Sequence, residues 1–599
     1  MIRINKYLLL VLILSSVLFS RCAKIGNPSG GPKDNNPPRL INAEPANYST
    51  NFKGQKVDIF FDEFIKQDDY YQKMVISPPL KYRPQFLVRN RGLEINIQDT
   101  LQNNTTYTFN FKNSLADNNE GNILKNFEYV FSTGVTVDTL GLRGQILDAF
   151  NLKPSKDPYT VMLYDNPDDS VPYKRNPSYL DKTDEKGHFY IRNVKPQKYL
   201  LFVLKDANSN NLYDSPKESI AFSDSLLNLN HPAYVVKHPK YFYPDDTIGH
   251  PEKKLTAADT IFDPQVVLLA FNEKPKDQYL QGSERKQRQK ISLFFNIPVK
   301  DSVQLRPLGI KPEKNWYLKE KSPENDTIHY WLTDTTVSKR DSLMIELKYQ
   351  ATNKKLEYFT KTDTLSLRFA DKKAPAVKKK KAEKPAAPEV KKQEALSLVS
   401  SVSDGSAIDL DQKIYLEAAV PIQKIDPSKI KLVEIVDSVE HSKKFSLLKD
   451  SVQLRKYLID FPWEEDSKYK LTILKGTFTD IYNHTNDTIN LKLNSKKADS
   501  YGSILLTLKN VKKQYIVQLL NEKEDLVKQT FANKDGLIKF EYLQQGKYLI
   551  KVIYDKNCNG KWDTGNYLKK IQPERVMYYK ELVPIRPNWD VEVSWEVQN

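Results

Sequence analysis

Short runs of alternating apolar and polar positions dominate this chain, each four to eight residues long and bounded by Asn, Asp, Gly or Pro. Gln55-Lys56-Val57-Asp58-Ile59-Phe60-Phe61 is one such run. Gln289-Lys290-Ile291-Ser292-Leu293-Phe294-Phe295 repeats its pattern, and Gln412-Lys413-Ile414-Tyr415-Leu416-Glu417 repeats it again in weaker form. Side chains alternate sides along a strand, so these runs predict half-buried strands rather than helices. Long amphipathic helical stretches are absent from the sequence. With Tyr 34 and Phe 26 against Gly 20, the composition is that of an all-β chain. At 599 residues it exceeds what one core organises, which predicts tandem β-sandwich domains.

The N-terminus breaks the pattern. Arg3 and Lys6 precede one apolar run, Tyr7 to Phe19, that is too short to span a bilayer comfortably, and Ser20-Arg21-Cys22 closes it. This order is a secretory signal peptide over 1–21. A cysteine at the cleavage point resembles the bacterial lipoprotein signal, which implies acylation of Cys22 and anchorage to a membrane. Residues 22–36, rich in Gly, Pro and Asn, read as a lipidated tether. Cys558 is the only other cysteine, so no intramolecular disulfide staples the mature chain.

The net charge of +16 suggests a polyanion partner until its distribution is read. Nine lysines fall between Lys372 and Lys392, in a Lys/Ala/Pro segment with almost no large apolar residue. Residues 371–394 therefore read as an extended linker, either a solvated spacer or an electrostatic contact for anionic lipid headgroups. The basic residues are not interleaved with aromatics as nucleic-acid binding requires, so no nucleic-acid partner is expected.

Residues 37–136 resemble the bacterial Ig-like domain known from S-layer proteins. Pro45, Asn47, Phe61, Asp62 and Glu63 match its opening turn and strand. Asn104 to Phe109, the turn at Ala116-Asp117 and Gly121-Asn122, and Tyr129 to Gly134 match its close. The echoes at 289 and 412 place further Ig-like sandwiches at 253–370 and 395–498. A second repeat is longer. Residues 184–214 align without gaps on 533–563, pairing Gly187 with Gly536 and Lys198-Tyr199-Leu200 with Lys547-Tyr548-Leu549. This turn–strand–turn–strand unit resembles prealbumin-like (carboxypeptidase-regulatory-like) sandwiches, placed at 137–252 and 499–599.

Both repeats carry an Asx-rich loop. Asp206, Asn208, Asn210 and Asp214, and likewise Asp555, Asn557, Asn559 and Asp563, offer side-chain oxygens at positions 1, 3, 5 and 9, with Gly560 at the sharp turn of the second loop. That spacing wraps calcium in one loop. Position 12 holds Lys217 or Asn566 in place of the bidentate Glu, so a site would be weak, at roughly 10⁻⁴ to 10⁻³ M. The alternative is an Asx turn that holds itself by side-chain to backbone bonds. Asp followed by Ser or Thr and an aliphatic residue or Thr recurs from Asp99 to Asp487. It is similar to the O-glycosylation signal of Bacteroidota, which implies Thr139, Thr247, Thr260 and Thr327 as acceptors; the alternative is a turn leading into a strand.

Catalytic motifs are missing from the sequence: no Gly-x-Ser-x-Gly, no phosphate-cradling Gly loop, no His pair at metal-ligand spacing. Asp62-Glu63 sits where the Ig-like family keeps the same residues for structural reasons. The whole pattern resembles Bacteroidota outer-membrane lipoproteins that begin with an S-layer-type Ig-like domain. The resemblance implies a lipid anchor in the outer membrane, on the periplasmic or cell-surface face, and a non-enzymatic scaffold serving a β-barrel or another envelope protein. A surface glycan-binding lipoprotein of a nutrient-uptake system is the alternative, with Trp316, Trp331 and Trp463 as candidate stacking residues.

Overall fold

The computed structural model describes residues 34–69, 73–230, 264–299, 303–369 and 395–598. Cys22, Thr247, Thr260 and the 371–394 linker lie outside the described residues. The fold is nearly all-β, a series of β-sandwiches. Contacts divide it into two compact units. One holds residues up to Ile146 with Ser155–Leu212 and Phe222–Leu268; the other holds Leu147–Pro154, Tyr213–Ala221 and everything from Leu269 on.

The first sandwich sets a four-stranded sheet, ordered Leu40–Glu44, Lys56–Phe61, Gly92–Asn96, Gln85–Arg89, beside a three-stranded one ordered Glu128–Ser132, Thr106–Asn110, Val75–Ser77. Val57, Ile59 and Phe61 alternate inward as the sequence pattern requires. They meet Leu93, Ile95, Tyr107, Phe109, Phe111, Tyr129 and Phe131 in a core built largely of rings. Each such ring contributes roughly 1.5–3 kcal/mol by leaving water. The two echoing runs take the same station. Lys290–Phe295 lies between Leu280–Gln287 and Thr327–Leu332, and Ile414–Ala418 between Leu398–Ser400 and Lys456–Asp460. Each is the second strand of a four-stranded sheet.

The duplicated sandwiches share one topology. In the first copy His188–Val194, Leu140–Asp148 and Val266–Ala270 form one sheet, and Tyr179–Lys182, Thr160–Tyr164, Lys198–Leu204 and Ile220–Phe222 the other. The second copy repeats the order with Gly536–Leu543, Gly502–Lys509 and Asp590–Glu596, then Leu526–Ala532, Tyr515–Leu520, Gly546–Tyr554 and Val576–Tyr578. Val266–Ala270 falls beyond residue 252, where the first copy was expected to end. It pairs with Leu140–Asp148 at the edge of that sheet.

Candidate functional site

Within each unit of this chain of sandwiches, charged and polar side chains are buried where neighbouring sandwiches meet. In the first unit the Ig-like sandwich and the first repeat are joined by buried polar groups. Glu128, 6% exposed, accepts from Asn110 Nδ2 at 2.7 Å and from Arg192 Nη1 at 3.0 Å. Beside it Lys112 pairs with Asp181 at 2.7 Å, Asn193 donates to the Thr108 hydroxyl at 2.7 Å, and the Leu180 amide donates to Ser77 at 3.1 Å. Burial pushes the Glu128 carboxyl above the usual range, and the opposing Arg192 only partly restores it.

In the second unit the sandwich that holds Lys290–Phe295 and the one that holds Ile414–Ala418 meet at Glu320. Its carboxylate, 5% exposed, takes the Trp331 indole N–H at 2.7 Å and the Arg455 Nε at 3.0 and 3.2 Å. Arg455 also donates to the Ala418 carbonyl at 3.0 Å, and the Lys290 ammonium lies over the Trp331 ring at 4.8 Å. Burial lowers the Lys290 ammonium, and burial followed by the Lys290 charge lowers the nearby His329. One buried carboxylate thus neutralises cationic groups from both sandwiches. Asp409 makes the next link, accepting from Lys496 at 2.7 Å and the Tyr501 hydroxyl at 2.8 Å.

The second Asx loop is also a joint. Asp555, fully buried, accepts from the amides of Asn559 and Gly560 at 3.1 and 2.8 Å and from Gln514 at 2.8 Å. Asp563 takes the side-chain amides of Asn557 and Asn559, each at 2.6 Å, and the Lys274 ammonium. Glu574 ties the loop ends, accepting from the amides of Lys556 and Asp563 at 2.8 and 2.9 Å. Against this loop docks the segment around Glu273, whose buried carboxylate takes the Tyr213 hydroxyl at 2.8 Å and the Tyr567 amide at 2.7 Å. Residues nearly three hundred positions apart in sequence are so clamped together. In the first Asx loop Asp206 accepts from the amides of Asn210 and Asn211 at 3.2 and 2.8 Å, and Asn208 and Asn210 accept from amides two residues on. Asp214 begins the return turn, where its amide donates to Glu218.

The remaining expectations divide. Trp316, Trp331 and Trp463 are 7%, 1% and 6% exposed, so they form no stacking platform; Trp316 and Trp463 lie in sandwich cores, and Trp331 is covered at the Glu320 joint, where ring area is worth more than on a surface. Asp62 accepts from the Arg39 amide at 2.7 Å, a structural bond. Glu63 lies near Asp117 and Glu120, and Asp117 spends its carboxylate on the amides of Glu120, Gly121 and Asn122. Thr139 is exposed, while Thr327 is half-buried at the start of its strand. Several of the Asp-Ser/Thr triplets serve as turns: Asp334 caps a helical turn through the Thr336 amide, and Asp450 accepts from Val452 and Gln453. The buried joints were not foreseen from sequence, since nothing local distinguishes Glu320 or Glu128 from a surface glutamate.

Residues 34–133 match the model of the bacterial Ig-like domain. No curated protein matches the chain. Among solved structures, the S-layer protein SbsC is 9% identical and spans 91% of this chain and 66% of its own, with a TM-score of 0.14. An alpha-2-macroglobulin fragment from Escherichia coli is 11% identical over 46% of this chain and 94% of its own, with a TM-score of 0.17. A chimeric titin Z1Z2 is 11% identical over 37% and 96%, with a TM-score of 0.16.

Proposed function

We propose that this chain is a lipid-anchored, non-enzymatic scaffold of the outer membrane, an accessory subunit of a larger envelope assembly. Protein biogenesis, secretion and gliding machineries are the classes that use such parts. The observation that carries the reading is the set of joints around the buried carboxyl groups of Glu128, Glu320 and Glu273. Flexible strings need no charge taken out of water between modules; a strut that must hold geometry gains from contacts that are satisfied in only one arrangement. An edge strand supports the reading as well. Tyr358–Arg368 is an eleven-residue strand at the edge of its sheet, with exposed Tyr358 and Phe359, the kind of edge that accepts a partner strand.

The test begins with tagged protein purified from its own outer membranes in mild detergent. Stoichiometric recovery of an integral β-barrel supports the reading, and Cys22→Ala is expected to move the chain to the soluble fraction. Recovery of the chain alone, with membrane partitioning unchanged by Cys22→Ala, refutes it.

A further inference from the structure

The sandwich of residues 395–498 presents an outer sheet face on which lysines outnumber carboxylates. Its five-stranded sheet is ordered Ser406–Ile408, Ile489–Ser495, Lys468–Ile473, Ile430–Val436, Val439–Lys443. Leu432, Tyr469, Leu471, Leu491 and Leu493 point inward and are buried. The alternate positions therefore form the outer face, and there Lys431, Lys468 and Lys492 are exposed and Lys470 is half-buried. Lys470 and Lys492 are direct cross-strand partners. Like charges set opposite each other in an antiparallel pair destabilise it.

Acidic relief is thin. Glu440 pairs with Lys470 at 2.9 Å, and Asp404 accepts from the Lys492 backbone amide. Among the described residues Lys431, Lys468 and Lys492 make no ion pair. The lysines are interspersed with Asn490, Asn494, Thr472 and Ser442, whose amides and hydroxyls suit a hydroxylated ligand. Adjacent strands lie about 4.8 Å apart and successive outward residues about 6.8 Å, which sets the backbone spacing of these lysines, with Val433 and Ile435 at the outward positions beside them.

We infer that this sheet face binds an acidic polysaccharide, with Lys470 and Lys492 at its centre and Lys431 and Lys468 flanking. Carboxylate- or sulfate-bearing sugars would offset the Lys470–Lys492 repulsion and use the amides between the lysines. A nucleic acid fits less well, since no aromatic side chain stands among these outward positions for bases to stack on.

Alginate, a plain polyuronate, is the probe, and its binding to the full chain is measured at low and physiological salt. Expected is salt-sensitive binding that Lys470→Gln with Lys492→Gln weakens at least about tenfold, with a shallower salt dependence. The charge-matched control, Lys379→Gln with Lys380→Gln, is expected to retain most of it. The inference is overturned if alginate does not bind, if the control loses as much as the sheet variant, or if duplex DNA competes as well as alginate.

Discussion

Lys551 offers a sharp test of how this protein balances charge against burial. It sits in Gly546–Tyr554 on the outer face of its sheet, yet only 2% of it is exposed. The Phe150 ring covers its ammonium at 3.2 Å from the centroid, with the Tyr578 ring at 5.6 Å. Burial pushes the ammonium down from 10.5 to about 8, against the favourable pull of Glu524 and Asp148. Because the folded value lies below the unfolded one, the unfolded chain holds the extra proton between them, and stability rises with pH across that window. Below pH 8 the full cost applies. A shift of this size corresponds to about 3 kcal/mol, and the attraction of the ammonium to the two rings returns about 1 kcal/mol of it. Methionine fills a similar volume with no charge. Lys551→Met is therefore expected to stabilise the second unit by about 2 kcal/mol at pH 7, read as a higher urea midpoint with an unchanged slope. The advantage should fade toward pH 10.5. A variant that is less stable at pH 7, by the same amount at every pH, would refute the reasoning and make the ring contacts the dominant force.

Three further outcomes are expected. Glu320→Ala should cost about 3–5 kcal/mol, because it strands Arg455 and the Trp331 N–H together, whereas Glu320→Gln, which keeps an acceptor for the indole, should cost less; urea midpoints of both variants decide it. Gly565→Ala should destabilise by about 1–3 kcal/mol on the same assay, since a Cβ there would meet the Phe271 ring at 2.5 Å and the Ile571 carbonyl at 2.7 Å. If the Asx loops bind calcium at about 10⁻⁴ to 10⁻³ M, 1 mM calcium should add about 0.4–1.4 kcal/mol per loop, and Lys274→Met should enlarge the effect at Asp563 by removing a competing cation; a melting temperature indifferent to calcium and chelator in both proteins rules the sites out.

What the sequence made legible and what it hid separate along one physical line. A half-buried strand writes its burial into a period of two, so Val57-Ile59-Phe61 and its echo at Ile291-Leu293-Phe295 are legible as strands near the start of two β-rich segments, and the fold gives them the same station in two sheets. The gapless match of 184–214 with 533–563 likewise carried its turns and strands into two sandwiches of one topology. Both signals are local. The joints are not: Glu320 meets Arg455 across 135 positions, and Glu273 meets Tyr567 across 294. In sequence Glu320 sits in Tyr317–Lys321 among lysines and reads as a solvated position on an edge strand. Lys551 is concealed for the same reason, since alternation assigns it outward and only the cover supplied by Phe150 makes that outward face an interior. The tryptophans mislead in the opposite sense. Their size invited a surface role, but a sandwich of about a hundred residues has few ways to fill its core, and a ring repays burial more than exposure. Pairwise long-range contacts therefore set what this chain does with its strands, and they are the property that a period, a repeat or a composition cannot encode.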